Sequence, residues 1–212
     1  HADDQVETFL LQWIRGSGIN GLSCMARFSE KTVKGRKLAV WRPFLHLSKD
    51  SVKKYLEDHN LDWVEDQTNS SYQYDRNRIR NDVLPNILAV REGGMKGMLR
   101  SIENISKSKR VIDLKMMELF RSVVSSDFDL LMQNECLNVT VCGDRLLKEP
   151  DSLVFELIRF WLRSAGVMAP PLVRLSEFVR QLRHSKPGSL PQLALKGESG
   201  SYKMLFCKGR LW

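Results

Sequence analysis

The sequence predicts an α/β protein in two parts, a parallel-sheet domain over residues 1–90 and a mostly helical domain with a small antiparallel sheet over residues 91–212. Three observations predict it. Through residue 88, apolar runs of strand length alternate with helical periodicity, the pattern of a parallel sheet with crossover helices. Beyond Gly97 the helical period of the apolar residues dominates. The final stretch, PQLALKGESGSYKMLFCKGRLW, alternates on both sides of a glycine-bounded turn and reads as a β-hairpin turning at Gly197–Gly200.

Each element follows in order. Asp3 to Ile14 reads as a helix with Val6, Leu10, Trp13 and Ile14 on one face, and acids at its start suit the helix dipole. RGSGINGLSCM, with Gly16, Gly18 and Gly21, reads as turns. A basic loop near KTVKGRK precedes LAVWRPFL, expected as a buried strand ended by Pro43. Ser48 caps a helix reaching about His59, with Val52, Tyr55 and Leu56 inward. LDWVED is expected as a short strand and TNSSYQYD as a polar loop. A helix from about Arg76 to Leu88 follows, with Ile79 and Val83 on its buried side, and Pro85 should kink or end it. The domain boundary is expected near Val90–Gly94. A long helix then runs from Gly97 to about Ser125, and Cys136–Cys142 alternates as a strand. Ser152–Ser164 is a helix stopped at Gly166, and Pro170-Pro171 introduces a helix reaching about His184.

Composition narrows the function classes. Hydrophobic residues make up 42% of the 212, enough for a core. No run of about 18 apolar residues and no signal peptide is present, which points away from a membrane or secreted chain and towards the cytoplasm. Cys24, Cys136, Cys142 and Cys207 form no CxxC pair, and no histidine lies at ligand spacing from a pair, so zinc, iron–sulfur and disulfide frameworks are not expected. The formal charge of +8 is uneven. Residues 1–88 carry 13 Lys+Arg against 12 Asp+Glu, and residues 89–212 carry 20 against 13. A near-neutral half beside a basic half suggests chemistry in one and a polyanion in the other.

Three constellations carry chemistry. In HADDQVET, Asp4 and Glu7 are three apart and project from one helical face, with His1 and Asp3 at the mouth of that helix. Two such carboxylates can hold Mg²⁺ or an ammonium group, while the bland alternative is acidic capping of a helix start. In WVEDQTN, Asp66 and Asn69 follow the expected strand, where α/β sheets bind ligands, or they cap a loop. In DRNRIRNDVLP, Arg76 and Arg80 are four apart, as are Asn77 and Asn81. Paired guanidiniums bind phosphate or stack on a base, or else form a solvated face paired with Asp75 and Asp82.

Taken in order, HADDQVET, RGSGxxGLxxM, RPFL, SKxxVxxYLxxHxLxWVEDxTN and DRNxIRxxVLP resemble the tRNA(Ile)-lysidine synthases, a family of N-type (PP-loop) ATP pyrophosphatases, over residues 1–88. The resemblance implies that residues 1–90 are the C-terminal portion of a PP-loop nucleotide-binding domain and residues 91–212 a tRNA-binding domain. It implies ATP and Mg²⁺ as cofactors and L-lysine and an isoleucine tRNA with a CAU anticodon as partners. The implied reaction adenylates the wobble cytidine and then joins lysine to its C2 atom. Asp4 and Glu7, with His1, are the implied catalytic residues, and the two carboxylates the implied Mg²⁺ ligands. Arg76, Asn77, Arg80, Asp66 and Asn69 are implied in substrate binding, with Arg15 supporting. In the second domain, Arg159 and Arg163 share a helical face, as do Arg180 and His184, and these are expected to face tRNA.

No SGGxDS motif, the family's pyrophosphate cradle, occurs in the sequence. The chain starts at His1 within a motif, which reads as a fragment, and this polypeptide alone is expected not to turn over ATP. A further C-terminal domain of longer members is also expected to be absent, and a homodimer is compatible with the sequence. Two alternatives remain: a non-catalytic tRNA-binding module, or another PP-loop tRNA-modifying enzyme. The second would rely on paired cysteines, and Cys24 stands alone in the first half. The first gains nothing from carboxylates placed where an anionic backbone approaches.

Overall fold

The computed structural model describes residues 1–33, 36–64, 66, 71–124, 139–186, 189–197 and 200–212. Two compact units divide the chain: residues 1–31 with 38–111, and residues 32–37 with 112–212. The boundary expected near residues 90–94 is where the helix Leu84–Val90 gives way to the long helix Gly94–Val123, within which the units divide.

The first unit opens with the helix Ala2–Ile14, whose buried positions are Ala2, Gln5, Val6, Glu7 and Leu10. Trp13 and Ile14, expected on the same inner face, are exposed. The glycine-rich stretch after it holds one short helix, Ile19–Leu22, between turns. Strands Phe28–Val33 and Arg36–Trp41 pair as a two-stranded sheet, so much of the expected basic loop is strand. Nor is LAVWRPFL a buried strand. Leu38 and Trp41 are exposed, and Trp41 stacks on Phe28 with ring centroids 6.0 Å apart. An apolar run can serve a surface hairpin as well as a core, and periodicity alone does not separate the two.

Ser48 caps the helix Lys49–Asp58, its hydroxyl accepting from the Ser51 amide at 3.1 Å, as expected. That helix buries no residue, and Tyr55 lies exposed against His59. Residues 61–64 and 66 form no strand and are exposed, so among the described residues LDWVED is coil. The strands described in this unit are thus those of the two-stranded sheet, within a mixed α/β chain.

Residues 75–90 are continuously helical in three registers: Asp75–Arg78, a π-helical turn Ile79–Val83, and Leu84–Val90. Pro85 sits in the first turn of the last piece, where its missing N–H is no loss. The wider π turn just before it takes up the hydrogen-bond mismatch, so the helix changes register where a kink or stop was expected. Ile79 is buried as expected, but Val83 is partly exposed. The core of this unit gathers Val6, Leu10, Ile79, Leu84 and Ile102.

The second unit builds a larger core. The helix Asp151–Ser164 contributes Val154, Leu157, Ile158, Trp161 and Leu162, and Leu172–Arg183 contributes Leu175, Phe178, Val179 and Leu182. Gly166, in a left-handed conformation (φ 69°), ends the first of these, as its place in the sequence predicts. The helices pack with a five-stranded antiparallel sheet ordered Val141–Cys142, Arg210–Leu211, Gly200–Cys207, Gln192–Gly197 and Val167–Met168. The hairpin pairs Gln192 with Leu205 through to Gly197 with Gly200, and so turns where expected. A second turn, at Lys208 and Gly209, was not foreseen. Both residues have positive φ, as a two-residue type I′ hairpin turn requires, and it returns the chain so that Arg210 pairs with Cys207. Of the expected Cys136–Cys142 strand, residues 136–138 lie outside the described residues, and Val141–Cys142 is strand. Among the described residues no helix is long and apolar enough to cross a membrane.

Candidate functional site

Glu7 organises the site. Its side chain is 2% exposed, and a carboxylate so covered must have its charge answered by directed donors. Arg76 and Arg80 supply them from the segment near residue 80. Arg76 Nε donates to Glu7 Oε2 at 2.7 Å, Arg80 Nε donates to Oε1 at 2.6 Å, and a terminal nitrogen of Arg80 donates to Oε2 at 3.0 Å. Arg76 also donates to Asp4 Oδ1 at 2.7 Å, and Arg80 approaches the same atom at 4.0 Å. The i,i+3 spacing of the acids and the i,i+4 spacing of the arginines set both pairs on facing sides, so each guanidinium spans two carboxylates. The hydrogen bond that Arg80 donates to Glu7 outweighs burial and raises the Arg80 pKa, holding that guanidinium charged.

The neighbouring residues brace this cluster. Asp3 Oδ2 accepts from the Lys49 amide at 2.8 Å, joining the first helix to the start of Lys49–Asp58. The His1 ring lies with Nδ1 3.2 Å from Asp3 Oδ2, and so against Asp3 and not Glu7. Arg15 faces Asp75 at 3.8 Å, an exposed pair. Asn77 is buried and donates to the Ser71 carbonyl at 2.9 Å, fixing the loop that leads into the arginine helix. Asp66 is exposed, and Asn69 lies outside the described residues.

Gln5 was missed in the sequence. It is buried, its amide nitrogen donates to the Met25 carbonyl at 2.8 Å, and its amide oxygen accepts from the Met25 amide at 2.9 Å. A polar residue between the two carboxylates, on the opposite face of the helix, was the available signal. Gln5 lines a cavity of about 880 Å³ with Asn20, Cys24, Arg27, Lys109 and Arg110 among its other walls. Asn20 Oδ1 is buried there with no hydrogen-bond partner among the described residues. Burial pushes the Cys24 thiol up to about 11, which makes it a poor nucleophile at neutral pH.

The Mg²⁺ expectation does not fit this arrangement. Both Glu7 oxygens and one Asp4 oxygen already hold guanidiniums, and among the described residues no group of three His, Cys, Asp or Glu side chains is placed to bind a metal.

The second-unit arginines expected to face tRNA are engaged with acids. Arg159 pairs with Glu156 at 3.0 Å, Arg163 with Asp113 at 3.3 Å, and Arg180 with Glu177 at 2.7 Å. His184 Nδ1 lies 2.8 Å from the Arg180 carbonyl oxygen.

Comparison with known proteins finds similarity in both units. Residues 1–87 match the family model described as a PP-loop domain, and residues 144–211 match the TilS substrate binding domain. The chain is 34% identical over 187 residues to the tRNA(Ile)-lysidine synthase of Burkholderia pseudomallei (strain K96243), covering 88% of this chain and 36% of that protein. It is 31% identical over 196 residues to that of Actinobacillus pleuropneumoniae serotype 3 (strain JL03), covering 92% and 43%. The chain spans about two fifths of the length of the curated relatives it matches. The chain is thus similar to tRNA(Ile)-lysidine synthases, with a PP-loop domain match followed by a match to the substrate binding domain.

Proposed function

We propose that this chain carries the amine-handling and tRNA-binding part of an enzyme that makes lysidine in a tRNA with a CAU anticodon. The single observation that carries the reading is the Asp4–Glu7–Arg76–Arg80 cluster, within the segment that matches the PP-loop domain. In the proposed reaction the C2 carbonyl oxygen of the wobble cytidine attacks the α-phosphorus of ATP and diphosphate leaves. The side-chain amine of lysine then attacks C2, the C2–O bond breaks, AMP leaves, and the amine gives up a proton.

The residues divide this work by exposure. Glu7, with both oxygens held, positions the two guanidiniums. Arg76, 42% exposed at its side chain, and Arg80 then present fixed positive planes to a flipped-out cytidine or its phosphate. Asp4 Oδ2 is held by neither arginine and accepts from the His1 amino group at 3.0 Å, an ammonium contact of the kind a substrate lysine would make, so Asp4 is the carboxylate suited to orient the amine and accept its proton. The 880 Å³ cavity suits a nucleotide: Arg27, Lys109 and Arg110 answer phosphate charge, and the unpartnered Asn20 Oδ1 can accept from a base amino group. ATP bound there would supply the leaving group that activates C2. We expect these 212 residues, which contain no SGGxDS, to release no AMP unaided. The reading keeps the chain cytoplasmic and leaves a homodimer open to sedimentation.

The test is a binding titration of isoleucine tRNA bearing CAU against elongator methionine tRNA, which shares that anticodon, at two salt concentrations. Tighter binding of the isoleucine tRNA supports the reading. Equal and steeply salt-dependent binding would reduce the chain to a basic surface and sink it.

A further inference from the structure

Among the described residues of the second unit, the helices mix acids with cations and the strands carry cations alone. Its described helices carry Asp113, Glu118, Asp144, Asp151, Glu156 and Glu177, and all of these but Asp144 pair with helical or neighbouring cations, including Arg159, Arg163, Arg180 and Arg183. The five strands contain no Asp or Glu, yet they carry Lys196, Lys203 and Arg210. All three are exposed, and no carboxylate among the described residues pairs with them.

Register puts these cations on one face. Lys196 pairs with Ser201, Ala194 with Lys203, and Cys207 with Arg210, while the alternate positions Leu193, Leu195, Met204, Phe206 and Leu211 face the core. The outer face also shows apolar surface. Leu205 and Trp212 exchange backbone hydrogen bonds at 3.2 and 2.9 Å, so their side chains lie side by side, and Trp212 is 58% exposed. An indole held on a sheet amid cations with no carboxylate partner among the described residues is what unstacked nucleotides bind: phosphates take the charges and a base takes the ring. Arg159, Arg163 and Arg180, each held by an acid, offer a polyanion much less.

We propose that the outer face of this sheet, centred on Lys196, Lys203, Arg210 and Trp212, is the RNA-contacting surface of the second unit and stacks an unpaired base on Trp212. The inference rests on the reading that the chain binds tRNA, and it locates the contact.

Two charge-matched variants of the full chain test it by tRNA titration across salt. The face variant is Lys196→Gln, Lys203→Gln, Arg210→Gln, and the helix variant is Arg159→Gln, Arg163→Gln, Arg180→Gln. The face variant should bind at least about tenfold more weakly and flatten the slope of log K against log salt by about 2, as loss of three phosphate contacts requires. The helix variant should change binding less than threefold. Trp212→Ala should lose about tenfold and Trp212→Phe should restore most of it, which a merely structural role for the indole would not produce. Far-UV circular dichroism confirms that each variant folds. Equal losses in face and helix variants would mean that net charge alone acts, and a loss confined to the helix variant would place the contact elsewhere. Both overturn the proposal and leave tRNA binding intact. A wild-type chain with no affinity for tRNA overturns this proposal and the functional reading together.

Discussion

A carboxylate as covered as Glu7 is stable only while its donors stay in place, and both come from a segment about 70 residues away. Breaking a buried, directed ion pair by removing one partner typically costs about 3–5 kcal/mol, because the remaining charges are left desolvated. Arg76 and Arg80 are partly exposed and recover some hydration, so Glu7→Ala should fall near the lower end, about 3 kcal/mol in urea unfolding. A loss under about 1 kcal/mol would show that the cluster is a surface pairing and not an anchor. The spacing of Asp4 with Glu7 and of Arg76 with Arg80 was legible in the sequence, because helical periodicity fixes which residues share a face. Their engagement with one another was not, since local spacing says nothing of which face a helix meets. That is why Glu7 read as an open ligand and is in fact saturated. His1 and Gln5 show the same limit: His1 turns to Asp3, and Gln5 ties down Met25.

Among the elements, helices were legible and first-unit strands were not. Caps such as Ser48, stops such as Gly166 and the Pro170-Pro171 entry act within a few residues, so their sequence signals survive folding. LAVWRPFL and LDWVED carry apolar residues in strand-like runs, but whether such a run is buried depends on what covers it. The helix Leu172–Arg183 offers a pH test at this scale. Hydrogen bonds from Arg180 and then Gln181 lower the Glu177 carboxyl from its ordinary 4.5 to about 2. A depressed folded pKa means that the contribution to stability is whole above about 4.5 and is lost as pH falls towards 2. Carboxyl-detected NMR titration should place the Glu177 midpoint well below 4, and Arg180→Gln should move it back up. A Glu177 midpoint that is ordinary in the unsubstituted chain would show that the pair does not persist in solution.

Across the whole molecule, charge divides as the units do. The first unit holds 16 Lys+Arg against 14 Asp+Glu, and the second holds 17 against 11. The sequence halves already showed this asymmetry, but only the strand register shows that Lys196, Lys203 and Arg210, with no carboxylate partner among the described residues, share one face of its sheet. Contacts of that kind read phosphate, and phosphate is the same in every tRNA. Raising salt from 50 to 200 mM should therefore weaken isoleucine and methionine tRNA binding by a common factor, because each screened phosphate contact is lost equally from both. The ratio of the two affinities should hold constant to within about twofold, since base-edge and shape contacts release few counterions. Fluorescence anisotropy of end-labelled tRNAs at four salt concentrations measures both quantities. If the ratio instead collapses towards one as salt rises, discrimination itself is electrostatic, and its assignment to base-edge and shape contacts fails.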